Sequence, residues 1–174
     1  LSNKLVTDNP VNRCYYCKQG VFGTILEAAK NDGMTVILDG TNASDDAGDR
    51  PGMKALQEMK DLSPLRMCGY VKSEIRKQSK EAGLFVYNKP SYACLATRIP
   101  TGTEIDEEKI KQVETAETFL FDLGFSDFRV RWMDNKAKIQ MPESRLQALM
   151  EKREIVLEEL LKIFDEVLLD LRTR

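Results

Sequence analysis

Apolar and polar positions along the chain divide it into two patterns. In the first, Val21 to Asn31 (VFGTILEAAKN) places Ile25, Leu26 and Ala29 on one side of an amphipathic helix, and Gly33 follows as a stop signal. Thr35 to Leu38 (TVIL) is a short, largely β-branched apolar run, which predicts a strand buried on both faces of a parallel sheet. It ends at Asp39-Gly40 and opens a polar loop from Gly40 to Gly52, where Pro51 suits the first turn of a following helix. Ser73 is placed to cap a helix that runs to Ala82 and closes at Gly83. This helix–strand–helix rhythm indicates α/β architecture. Too few strands remain for a complete sheet and the chain opens on Leu1 without a Met, so further N-terminal sequence is expected.

Leu84 to Thr103 has no clear period and holds Pro90, Pro100 and Gly102. An aperiodic stretch of this length inside a compact protein suggests a functional loop. A domain boundary is expected near Thr101, dividing 1–101 from 102–174. Beyond it the pattern changes. Ile105 to Leu123 reads as a helix ended by Gly124, and FRVRWM-DN-KAKIQM as a β-hairpin. Pro142 opens a long helical stretch to about Phe164, and Val167 to Leu171 is a candidate third strand, giving a small α+β domain.

The hairpin register follows from its two-residue turn. Met133 pairs with Lys136, Arg131 with Lys138 and Arg129 with Gln140. One face is then apolar (Phe128, Val130, Trp132, Ala137, Ile139, Met141) and the other basic (Arg129, Arg131, Lys136, Lys138). Like charges directly opposite destabilise a sheet, so acidic side chains or a bound phosphate should compensate. Arginines two apart on one strand point the same way and can grip one phosphate.

Composition narrows the chemistry. The chain has 26 Lys and Arg against 28 Asp and Glu, a net charge of −2, which argues against a general nucleic-acid coat. It has no histidine, which excludes His-based acid–base catalysis, Ser-His-Asp triads and His-ligated metals. No apolar run approaches the roughly 18 residues of a membrane span, and no targeting peptide is recognisable. A cytoplasmic protein with reduced thiols is expected.

The four cysteines are Cys14, Cys17, Cys68 and Cys94. The CxxC of Cys14 and Cys17 fits a redox pair, half a zinc site or two ligands of an iron–sulfur cluster. Cys68 lies in a short apolar patch and reads as buried filler. Cys94 sits in a loop near Lys89 and Arg98, cations that favour a nucleophilic thiolate. Asp45, Asp46 and Asp49 follow the predicted strand, where α/β proteins bind ligands and carboxylates can hold Mg²⁺ on phosphates.

Together NPVNRCYYCK, LDGTN…DD…DRPG, SPL…VKSEIR, KPSYACLATRIPTG and GFSDFRVRW resemble the LarE-type ATP-dependent sulfur transferases of the PP-loop ATP pyrophosphatase superfamily. The resemblance implies a partial Rossmann-like (PP-loop/HUP) parallel-sheet domain followed by a small α+β domain. It implies adenylation of a carboxylate on a nucleotide-like small molecule, a pyridinium dicarboxylate mononucleotide, then sulfur insertion, in nickel-pincer cofactor biosynthesis. It makes Cys94 the sulfur-handling residue, with Arg98 and Glu117 at catalytic positions and Arg129 and Arg131 on the substrate phosphate. Gly40, Asp45, Asp46 and Arg50 fall in the nucleotide and Mg²⁺ motif. Cys14, Cys17 and Cys94 would hold a 4Fe-4S cluster, the alternative source being the sulfur of Cys94 itself. A homo-oligomer is expected. The SGGxDS phosphate loop that defines the superfamily is absent from this sequence. It is expected upstream, and the chain as it stands is expected to bind ATP poorly. The rival readings are a tRNA thiolase or other PP-loop synthetase, and a zinc-stabilised module that binds a phosphorylated ligand.

Overall fold

The structure is a computed structural model that describes residues 1–45, 52, 54, 55, 58 and 62–172. It is α/β, with two compact units: Leu1–Asn9 with Pro90–Arg174, and Pro10–Lys89. The chain thus changes unit at Asn9 and again at Lys89, not near Thr101. Two sets of contacts hold 90–101 in the first unit. Asn9, fully buried, donates its amide to the carbonyls of Pro100 at 2.7 Å and Thr103 at 3.0 Å. Arg98, in the 3-10 turn Leu95–Arg98, pairs with Glu117.

The first unit begins with α1 (Lys4–Thr7), capped by Asn3. The expected helix after Thr103 is α5 (Glu107–Asp122), where the Asp106 carboxylate accepts the Lys109 N–H at 2.8 Å. Gly124, at φ 90°, takes the left-handed conformation that ends it. Strands β1 (Arg129–Met133) and β2 (Lys136–Gln140) pair antiparallel in the register the sequence predicts, Arg131 opposite Lys138 and Met133 opposite Lys136. Asp134 and Asn135 both sit at positive φ, 47° and 60°, as a type I′ turn requires. Strand β3 (Glu166–Leu169) pairs with β2 in parallel and completes a three-stranded sheet in the order β1-β2-β3.

The helical stretch after Pro142 is broken where one long helix was expected. A 3-10 turn at Glu143–Arg145 leads into α6 (Leu146–Glu151) and then α7 (Arg153–Leu160). Lys152, at φ −103° and ψ 11°, separates them, and its ammonium reaches back to the Leu123 carbonyl at 2.8 Å. The break lets Leu149, Val156, Leu160 and Phe164 all turn onto the sheet, against Ala116, Leu120, Val130, Ala137 and Ile139. That burial holds the unit together.

In the second unit, α2 spans Arg13–Asn31, starting eight residues before the predicted Val21. The TVIL run departs from expectation. It forms a single parallel bridge, Leu38 with Leu62, and among the described residues no other strand flanks it. Val36 and Leu38 are therefore exposed rather than buried on both faces. Short α3 (Pro64–Met67) precedes α4 (Lys72–Glu81). Ser73 does not cap α4. The Glu74 carboxylate takes the Val71 N–H at 3.0 Å and the Ser44 hydroxyl takes the Lys72 N–H at 2.9 Å. Cys68, expected as buried filler, is exposed because it follows the end of the four-residue α3. Among the described residues no helix is long and apolar enough to cross a membrane.

Candidate functional site

The Cys94 loop is fastened to the first unit by one carboxylate. Glu117, on α5, accepts Arg98 Nε at 2.7 Å on Oε1 and Arg98 Nη2 at 3.0 Å on Oε2. The same Oε2 accepts the Tyr92 hydroxyl at 2.6 Å, and Oε1 accepts the Val130 backbone N–H of β1 at 2.9 Å. Arg98 and Glu117 are each only 1% exposed, so this is a buried, bidentate ion pair. It ties together the residue two before Cys94, the residue four after it, and the strand that carries Arg129 and Arg131.

Further bonds set the loop's shape. Arg98 Nη1 donates to the Ala93 carbonyl at 3.2 Å and to Thr97 Oγ1 at 3.0 Å. The Cys94 carbonyl accepts the Thr97 N–H at 2.9 Å and its hydroxyl at 2.7 Å. Tyr92 lies 5.1 Å from the Arg98 guanidinium and 5.9 Å from the Phe121 ring. Burial and then the bond to Glu117 push its phenol up to about 12. The Cys94 thiol itself is exposed and free.

The basic hairpin face is compensated by acids in and directly after β3, as its charge demanded. Lys136 pairs with Glu166 at 2.5 Å and Lys138 with Asp170 at 3.2 Å. Arg131 is held differently: Nη1 donates to the Thr97 carbonyl at 2.9 Å and Nε to Gln140 Oε1. The arginine strand is thereby bonded directly to the turn that follows Cys94. Thr97, Tyr92, Gln140 and Asp170 were not singled out from the sequence. The one available signal was Asp170 in the apolar run VLLDL, since a lone acid in such a run needs a partner.

In the second unit Cys14 and Cys17 lie three apart in the first turns of α2, on one face, as free thiols. The Arg13 guanidinium lies 3.9 Å from the Cys14 sulfur. Within each unit, among the described residues, no three Cys, Asp or Glu side chains gather as a metal site. The Cys14 and Cys17 thiols, on one helix face, are two donors of the kind that zinc or an iron–sulfur cluster takes. In the polar loop the Asp45 carboxylate is bonded to the Asn42 N–H at 3.0 Å and amide at 2.7 Å. Burial raises the Asp39 pKa, but bonds from Thr41 and Ser63 outweigh it and hold the carboxyl below its ordinary value. Gly40 faces open space. Asp46, Asp49, Arg50 and Pro51 lie outside the described residues.

No family model matches the chain. It is 37% identical to the uncharacterized protein slr1717 of Synechocystis sp. over 164 residues, 94% of this chain and 60% of that protein. It is 32% identical to the uncharacterized protein MJ0830 of Methanocaldococcus jannaschii over 154 residues, 88% of this chain and 60% of that one. Against the pyridinium-3,5-bisthiocarboxylic acid mononucleotide synthase of Lactiplantibacillus plantarum the identity is 34% over 146 residues, 84% of this chain and 53% of the synthase. The chain thus spans between half and three fifths of these relatives' lengths. Over the matched residues the chain is a sequence relative of that LarE-type synthase, in keeping with the resemblance of its motifs.

Proposed function

We propose that this chain is the sulfur-transferring part of an ATP-dependent enzyme of cofactor biosynthesis. Its substrate is a pyridinium dicarboxylate mononucleotide, whose carboxylate is activated as an adenylate with Mg²⁺ on the phosphates. Asp45 with Asp46, Gly40 and Arg50 are the candidates for the nucleotide and Mg²⁺ side. The observation that carries the reading is the Glu117 carboxylate, which fixes the exposed Cys94 turn and the arginine strand to one point. Sulfur chemistry and phosphate recognition need that fixed spacing, because a misplaced nucleophile loses rate steeply.

Each residue then has a task. Arg129 and Arg131 grip the substrate phosphate, as paired guanidinium groups do. Arg98 and Glu117, buried against each other, position Cys94 and the strand rather than touch substrate. Sulfur from Cys94 or from a cluster attacks the activated carbonyl, and AMP leaves. A 4Fe-4S cluster held by Cys14, Cys17 and Cys94 would supply a spare sulfide. The alternative source is the Cys94 sulfur itself, which would leave dehydroalanine.

Anaerobic purification with iron and sulfide assays, repeated on Cys14→Ala and Cys94→Ala, tests the source. The expected result is iron in the native protein and its loss in both variants. Iron-free native protein overturns the cluster. A mass decrease of one H₂S at Cys94 after turnover establishes the sacrificial route instead.

A further inference from the structure

We propose that Gln140 and Asp170 are positioning residues that set the Arg131 guanidinium in the orientation in which it takes a phosphate-type anion. This inference rests on the reading of Arg129 and Arg131 as the phosphate grip. The structure holds Arg131 at two points, Nε on Gln140 Oε1 and Nη1 on the Thr97 carbonyl. A guanidinium is planar, so fixing two of its nitrogens fixes the plane and the direction of the fork.

The Gln140 amide can do this in only one of its two orientations. Its oxygen must face Arg131, because the amide nitrogen and Arg131 Nε are both donors. Asp170 decides the orientation. Gln140 Nε2 donates to Asp170 Oδ2 at 2.7 Å, and a carboxylate only accepts. A reversed amide would set two donors together at Arg131 and two acceptors together at Asp170.

Asp170 is itself held. The Arg172 N–H reaches Oδ1 at 3.1 Å and the Lys138 ammonium reaches Oδ2 at 3.2 Å. The Gln140 bond first, then Arg172 and Lys138, keep its carboxyl well below the usual carboxylate range. Lys138 lies directly opposite Arg131 in the sheet, so the same carboxylate also offsets the cation that would otherwise push Arg131 aside. A line of hydrogen bonds therefore runs from the end of β3 through Gln140 and Arg131 to Thr97, and from Thr97 to the Cys94 carbonyl.

The test uses the whole 174-residue chain with inorganic phosphate as the probe, followed by NMR at the Arg131 Nε–H. That signal should be protected from exchange in the native protein and should move as phosphate is added. Gln140→Met and Asp170→Leu should lose the protection and weaken phosphate binding about ten-fold or more, the loss of one hydrogen bond to a charged group. Asp170→Asn keeps an acceptor for the amide but can also present a donor and removes the charge facing Lys138, so it should recover only part of both. If native protein binds no phosphate, or Arg131→Ala leaves binding unchanged, the phosphate reading falls and the inference with it. If Arg131→Ala weakens binding while folded Gln140→Met does not, the inference alone falls. An unprotected Arg131 Nε–H in the native chain also overturns it, without any variant.

Discussion

At the residue scale, the critical group is the Glu117 carboxylate. Four donors converge on it: Arg98 Nε and Nη2, the Tyr92 hydroxyl and the Val130 N–H. A buried pair contributes little against an apolar replacement, but losing one partner strands a charge in a dry site. Glu117→Gln should therefore cost about 3 kcal/mol or more, read from urea unfolding. Pairing Glu117→Met with Arg98→Met should recover much of that stability while sulfur transfer stays lost. A double variant no more stable than Glu117→Gln would show that the pair's hydrogen bonds, not its uncompensated charge, dominate. Tyr92 gives a pH test. Its folded pKa of about 12 lies above the ordinary value of 10.0. Its contribution is fully present below pH 10 and is lost as pH rises through 12, because the unfolded chain ionises first. Tyr92→Phe should flatten the fall in melting temperature across that window, and should remove a late-titrating tyrosine from a spectrophotometric titration. The buried role of Glu117 had a trace in the sequence. It stands beside Ala116, four after Val113 and three before Leu120, on the stripe that α5 buries. A carboxylate on an apolar stripe calls for a cation, but spacing along one helix could not name Arg98 as that cation.

At the element scale, the hairpin was legible because its side-chain period of two and its turn length together leave one register. Its charge conflict was also legible, though not its resolution. The acids that answer Lys136 and Lys138, Glu166 in β3 and Asp170 directly after it, lie about 30 residues later along the chain than either lysine and are brought in by a parallel pairing that no local pattern encodes. The turn carries a further prediction. Asn135 lies at φ 60°, accepts Gln112 Nε2 at 2.9 Å on its side chain and accepts the Asp165 N–H at 3.0 Å on its carbonyl. Asn135→Ala should cost about 2 kcal/mol, combining left-handed strain with one lost hydrogen bond. Asn135→Gly should cost less, since it relieves the strain but not the lost bond. Chemical denaturation midpoints rank the three, and equal costs for both variants would place the whole effect in the Gln112 bond. The broken helix after Pro142 was not legible, because Leu149, Val156 and Leu160 fit one continuous helical period almost as well as two short ones. Contact with the sheet, a tertiary property, decides between them.

At the scale of the whole molecule, the sequence boundary near Thr101 misses the crossings at Asn9 and Lys89 because chain order cannot show a segment returning to its own N-terminus. Asn9 and Arg98 make that return through contacts some ninety and nineteen residues away. The two units also differ in what they bury. In 90–174 a continuous apolar cluster runs from Ala116 to Phe164. In the described part of 10–89, α2 buries no side chain, Val21, Ile25, Val36 and Leu38 are exposed, and Ala55 is the apolar residue that is fully covered. Local stability follows buried apolar area, so 10–89 should open more readily than 90–174. Hydrogen exchange on the whole chain should find the amides of α5 and β2 slowest, with those of α2 faster by about a hundred-fold or more. Under the function proposed above, a cysteine pair at the start of a readily opened helix can rearrange around an incoming metal at little cost. Equal protection across α2 and α5 would defeat this, and would mean that α2 is stabilised by something other than its own packing. Iron loading that leaves α5 exchange unchanged but slows exchange at Cys14 and Cys17 would join the stability difference to the sulfur chemistry.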